Sequence, residues 1–271
     1  MRRVALAALI AIAAAAVLSA QFRRGGRFGG YGPSPGVNPK YDGAFTFCRI
    51  MVRNAPDGDG NGWWVDWPRA DTNLSFRLSE LTTTLVSRDA TGGFNHVVIK
   101  LTDDAELSKC PFIMLTEPGG VYFDDEEAKH LRGYLERGGF FWADDFWGEY
   151  AWEHWAREIQ KAIPPGYTII DVPMDHPIFH VLYDVRELPQ IPSIGFYFGT
   201  GGQTSERGRD SAVPHARGVA DADGRLIVFM THNTDFGDAF EREGESREYF
   251  DRFAGPGYAV GINVLLYSMT H

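Results

Sequence analysis

Cysteine is almost missing: two of 271 residues, Cys48 and Cys110. Neither sits in the pattern of a reactive thiol or of a metal-binding cysteine. Acidic residues are absent from positions 1–40, where six of the 26 basic residues sit. The rest of the chain carries 20 basic against 36 acidic residues, a formal net of −16. A surface that acidic repels phosphate backbones, which argues against nucleic acid as a partner. After Leu18 no apolar run is long enough to cross a bilayer, which takes about 20 residues. No internal repeat is visible.

The opening, "MRRVALAALIAIAAAAVLSAQ", puts two arginines before an apolar run from Val4 to Leu18 and small residues at Ser19 and Ala20. That order predicts a signal peptide over 1–20, with an uncleaved anchor as the alternative. No cysteine follows Ala20, so no lipidated terminus is expected. Residues 21–40 are rich in Gly, Pro and Arg and read as a flexible tether. Residues 41–271 are enough for one large domain. The expected address is periplasmic or secreted, with no membrane span left after signal removal. In that setting Cys48 and Cys110 could pair, although "FTFCRIMV" and "KCPFIML" also suit free buried thiols.

Strand-like and helix-like segments alternate along this body. Strands are expected at 44–52, 96–101, 112–117, 140–143, 167–173 and 225–233. Helices are expected at 71–87, 124–137 and 149–163, and from 257 to the end. Leu74, Leu78, Leu81 and Leu85 mark the first helix. Asp124 and Glu127 form a capping box for the second, and Gly138 stops it. Strands this apolar suit a parallel sheet covered on both faces, which gives an α/β sandwich with a mostly parallel central sheet. A polar, Gly-rich stretch runs from 199 to 218, of which 199–210 reads as a mobile loop whose glycines do not cradle phosphate.

Ligands of such sheets sit beyond the carboxyl ends of the strands. Asp144 and Asp145 end the strand "FFWA" there, and each has two readings. Asp is a preferred helix cap, and it can also face a crevice as base, metal ligand or hydrogen-bond acceptor. His176 lies in "DHPIFH" and His232 in "THNTDFGD", with Asn233 and Asp235 beside it. Pro177 keeps His176 out of a helix, so a two-His metal face with His180 is not expected. Asp57, Asp59, Asn61 and Gly62 match half of a calcium loop, but Pro68 holds the place of the essential Glu, which excludes a full hand. The seven tryptophans fall at 63–67 and 142–155. Core packing explains many such rings, but Trp63, Trp64 and Trp147 are candidates for the rim of a binding crevice. No metal site and no cofactor are expected.

The stretches "GWWVDWPRADTNLSFRLSELT", "CPFIMLTEPGG", "LRGYLERGGFFWADDFWG", "DHPIFHVLYD", "GRLIVFMTHNTDFGDAFE" and "GINVLLYSMT" resemble the uncharacterised bacterial family known as domain of unknown function 4159. That family is similar to the class I glutamine amidotransferase-like superfamily, in particular its trehalose-utilisation-like branch. The resemblance implies a flavodoxin-like three-layer sandwich. In true amidotransferases a cysteine nucleophile stands on the sharp turn after the strand that here ends at Asp144 and Asp145. A carboxylate cannot replace a thiolate in glutamine hydrolysis, so glutaminase activity is not expected. Some relatives are linked to envelope proteins with von Willebrand-type domains. The expected function is therefore an exported envelope domain that binds a carbohydrate or protein partner. The alternative is a hydrolase using Asp144 or Asp145 with His176 or His232, with or without a metal.

Overall fold

A strand that is apolar at every position must be covered on both faces. The protein is described here by a computed structural model covering residues 30–271. The expected signal peptide and the first part of the expected tether lie outside the described residues.

The strands are β1 (Phe47–Ile50), β2 (Arg53–Asn54), β3 (His96–Ile99), β4 (Phe112–Thr116), β5 (Val121–Tyr122), β6 (Phe140–Asp144), β7 (Ile169–Asp171), β8 (His215–Ala220) and β9 (Leu226–His232). The helices are α1 (Arg69–Leu81), α2 (Asp104–Leu107), α3 (Asp125–Glu136), α4 (Gly148–Gln160), α5 (Ile194–Gly199), α6 (Phe236–Glu241), α7 (Arg247–Tyr249) and α8 (Gly255–Thr270). Seven strands form one sheet in the order β3-β1-β4-β6-β9-β8-β7. The first five run parallel, and β8 runs antiparallel to both its neighbours. Strands β2 and β5 make a separate antiparallel ribbon.

Alternation along the central strands sets the layers. Phe112 and Met114 of β4 and Phe140 and Trp142 of β6 join one hydrophobic cluster, under α1, α6 and α8. Ile113 and Leu115, and Phe141 and Ala143, join the other, under α3 and α4. The fold is thus mixed α/β around a mostly parallel sheet, compatible with a three-layer sandwich. Among the described residues no helix is long and apolar enough to cross a membrane.

Local chemistry explains most element borders. The capping box is present in both directions, Glu127 N–H to Asp124 Oδ1 at 2.9 Å and Asp124 N–H to Glu127 Oε2 at 3.0 Å. The helix expected over 71–87 stops at Leu81. The β-branched run Thr82–Thr84 disfavours helix, and the chain leaves it extended at Thr82. Leu85 is consequently 76% exposed, and Val86 bridges to Phe45 instead.

Two expectations need correction. The polar stretch 199–218, in which the sequence predicts no strand, ends in β8, a short, partly polar strand held between β9 and β7. The described part of the tether is docked rather than free. The Tyr31 hydroxyl donates to Glu127 (2.8 Å), and the Tyr31 carbonyl accepts from the Trp63 indole. The Asn38 amide pairs with both the N–H and the C=O of Val98 on edge strand β3 (3.0 and 2.9 Å). That contact occupies backbone groups an edge strand would otherwise offer to another chain. Cys48 and Cys110 form a disulfide that ties β1 to the entry of β4.

Candidate functional site

The parallel strands define where a ligand can sit. From β1 the chain goes to β3 on one side and to β4 on the other, so the loops leaving β1 and β4 diverge and open a crevice at the carboxyl ends. A cavity of about 710 Å³ lies there, walled by the segments that follow β2, β4, β6, β7 and β9. Eight of its lining residues are acidic and two, Arg207 and Arg242, are basic.

Beneath it Arg49, Asp71 and Asp144 are fully paired. Arg49 on β1 is buried, and its Nε donates to Asp71 of α1 at 3.0 Å. Its Nη1 reaches the Trp63 and Val65 carbonyls (3.2 and 3.3 Å) and the Thr116 hydroxyl (3.0 Å), and its Nη2 returns to Asp71. One arginine thereby fixes the loop that carries Asp66. Asp144, at the end of β6, is buried. It accepts from the Thr231 hydroxyl and from the N–H groups of Phe236 (2.8 Å) and Gly237 (3.1 Å) at the start of α6. Burial pushes its carboxyl up to about 7, against the pull of those hydrogen bonds.

Above this floor, three acids leave strands or loops with left-handed backbones: Asp66 (φ 62°), Glu117 (φ 51°) and Asp145 (φ 62°). Asn233 (φ 61°) completes the set of non-glycine residues in that region among the described residues. Such conformations are uncommon outside glycine and gather at functional sites. Glu117 follows β4 and accepts from the N–H groups of Asn61 and Gly62 and from the Asn61 amide. The half calcium loop therefore wraps a carboxylate of the protein itself, while Asp59 pairs with Arg207 at 3.0 Å.

Asp145 is buried and accepts one bond, from the Trp147 indole at 3.1 Å. Asp235, also buried, caps α6 by accepting from Asp238 N–H at 2.6 Å. Asp66 is 8% exposed, and its Oδ2 has no hydrogen-bond partner. It packs on Gly237, where a Cβ would collide with it. Single oxygens of Asp66, Asp145 and Asp235 lie within 4.8 Å of one another, and the same holds for Asp66, Asp238 and Glu241. Burial raises the carboxyls of Asp66, Asp145 and Asp235 well above the ordinary range. Asp238 adds most to the rise at Asp66, Glu117 at Asp145, and Asp145 at Asp235.

The expected site residues divide. Asp145, Trp64, Trp147 and Asp235 line the cavity. Trp64 packs its ring against Gly32 and Gly62, at each of which a Cβ would collide with it. Trp63 is fully buried in the core instead. Asn233 is buried, its side chain bridging Gly148 N–H and the Val213 carbonyl (both 2.8 Å). His232 lies outside the cavity lining with both ring nitrogens engaged. Nδ1 accepts from Arg217 and Nε2 donates to the Gly148 carbonyl, each at 3.0 Å. Burial, with Arg217 adding to it, lowers its imidazole to about 4, so it is neutral.

His176 is not brought to the site. Its ring lies 5.7 Å from that of Tyr267, whose hydroxyl accepts from Leu226 N–H at the amino end of β9. The cavity is at the carboxyl end. Ile178 and Phe179, both buried under α8, draw the His-Pro turn away from it.

Sequence reasoning passed over Asp66, Glu117, Glu206 and Glu241, while Asp238, read with Asp235 at the end of the last strand, also lines the cavity. Glu117 carried the same signal as Asp145, an acid directly after an apolar strand. Asp66 carried none, because its place depends on buried Arg49.

A family model described as Domain of unknown function (DUF4159) matches residues 50–269, and the chain belongs to that family. No curated protein matches the chain.

Proposed function

We propose that this family member is an exported, envelope-associated binding domain of amidotransferase-like build, and that its carboxyl-end crevice holds a carbohydrate. One observation carries the reading: the rings of Trp64, Trp67 and Trp147 and eight carboxylates line the same cavity. Indole faces stack on the apolar faces of sugar rings, and carboxylates accept from their hydroxyls. A concave site of this volume suits a small molecule better than a protein surface.

Several features favour the finer placement. The parallel strands β3-β1-β4-β6-β9 follow the flavodoxin-like order. Asp145 occupies the sharp turn after β6, where an amidotransferase has its cysteine, and a carboxylate does not perform that chemistry. The Cys48–Cys110 disulfide is of the kind that persists in oxidising compartments, in keeping with a signal-like N-terminus. The hydrolase alternative is weakened by its imidazoles: His232 is engaged on both nitrogens, and His176 sits at the other end of the sheet.

Titration with soluble envelope oligosaccharides, followed by tryptophan fluorescence and calorimetry, tests the reading. Saturable binding is expected, weakened about fivefold to tenfold by Trp64→Ala, equivalent to about 1–1.4 kcal/mol. Absence of saturable binding, or equal affinity in Trp64→Ala, rejects it.

A further inference from the structure

The two carboxylate groups that share Asp66 differ in one respect. The Asp238–Glu241 side already has a cation: Arg242 Nε lies 2.8 Å from Glu241 and 3.5 Å from Asp238. Asp238 is also engaged by Ile194 N–H (2.6 Å) and the Tyr249 hydroxyl (3.1 Å). On the other side, Asp66, Asp145 and Asp235 form no ion pair with any described residue. Their hydrogen bonds leave capacity unused, and Asp66 Oδ2, in a side chain more than nine-tenths buried, has no partner at all. A buried polar atom without a partner is costly and calls for an explanation.

We propose that Asp66, Asp145 and Asp235 bind a hard divalent cation of the calcium class. All three donors are carboxylate oxygens, with no imidazole or thiolate in the group, which selects against zinc and copper. Two oxygens on one ion can be no farther apart than twice the metal–oxygen distance, about 4.8 Å for calcium. The three oxygens fall within 4.8 Å. Three different segments supply them, each set by its own anchor: Arg49 beneath the Asp66 loop, the Trp147 indole on Asp145, and the α6 cap on Asp235. A cation there offsets the mutual repulsion that burial intensifies. It also presents open coordination positions toward the tryptophan-lined space. The site deepens the carbohydrate reading, since vicinal hydroxyls are ligands for such a cation, but it does not require it.

The test uses the purified protein after chelator treatment. Calorimetric titration with calcium, and terbium luminescence excited through the nearby tryptophans, should both show one saturable site, with calcium displacing terbium. Asp145→Asn and Asp66→Asn, which keep shape and tolerate the left-handed backbone, should each weaken calcium by about tenfold or more. Asp175→Asn, an exposed carboxylate outside the cavity, should leave it unchanged. Calcium should raise the melting temperature of wild type but not of Asp145→Asn, which separates lost binding from lost folding. Absence of saturable calcium binding overturns the proposal, as does undiminished binding in the double variant Asp66→Asn/Asp145→Asn. Oligosaccharide binding measured with and without chelator separates the two readings. Sugar bound without any calcium site rejects this inference alone, and calcium bound without any sugar rejects the carbohydrate reading alone.

Discussion

The floor and the mouth of the crevice use the same residue types and treat them in opposite ways. On the floor, Asp71 is paired with Arg49, and Asp144 is satisfied by Thr231 and two backbone N–H groups. At the mouth, Asp145 and Asp235 hold one hydrogen bond each, and one oxygen of Asp66 holds none. Charge that serves the fold is neutralised by the fold. Charge at the mouth is supported by neighbouring backbone and rings, yet it is left for a group the chain does not supply.

Four substitutions probe that contrast. Asp71→Ala strands the buried Arg49 guanidinium and should lower stability by about 3–5 kcal/mol in urea unfolding. A loss within 1 kcal/mol would place the floor on the same footing as the mouth. Asp144→Ala removes the acceptor of three donors and should lower stability by about 1–3 kcal/mol by the same measurement. Gly32→Ala should lower stability by about 1–2 kcal/mol for its left-handed backbone (φ 76°). It should also shift tryptophan fluorescence as Trp64 is displaced, with the floor intact.

Asp145→Asn should be nearly neutral or stabilising without added cation, and its effect should depend on pH. The folded Asp145 carboxyl is raised above its unfolded value by burial and by Glu117. Folding therefore takes up protons, and wild type loses stability as the pH rises from the ordinary carboxyl range toward the raised one. Asparagine does not titrate. The gap in favour of the variant should widen as the pH rises from about 4 toward the raised carboxyl value in chelator-treated samples. His232 works the other way, since its lowered imidazole withdraws stability as the pH falls from the ordinary histidine value toward about 4. It is common to both proteins and cancels in the difference. A gap that stays constant across that range would show Asp145 to be ordinary.

The legible part of the fold was the part dictated locally. Apolar runs gave the parallel strands, and the Asp124–Glu127 box gave the start of α3. Position after a strand pointed to Asp145. What escaped depended on long-range packing. Strand β8, with its partly polar sequence, is defined by its neighbours on both sides. Asp66 is placed by an arginine seventeen positions earlier in the chain, on a different element. His176 looked close to the strand ends in sequence, but two apolar neighbours outweighed it and carried the turn under α8. The distinction between Asp144 and Asp145 was visible as a pair of roles but not as an assignment. Alternation along β6 sends one toward α6 and the other toward open space.

Part of the support for the Trp64 ring belongs to Gly32, a residue that composition alone assigns to a leash. A version trimmed to begin at Tyr41 would keep every cavity acid and still lose the piece that holds this ring upright. The working unit therefore reaches back at least to Tyr31, ten residues ahead of the border that hydrophobicity suggests.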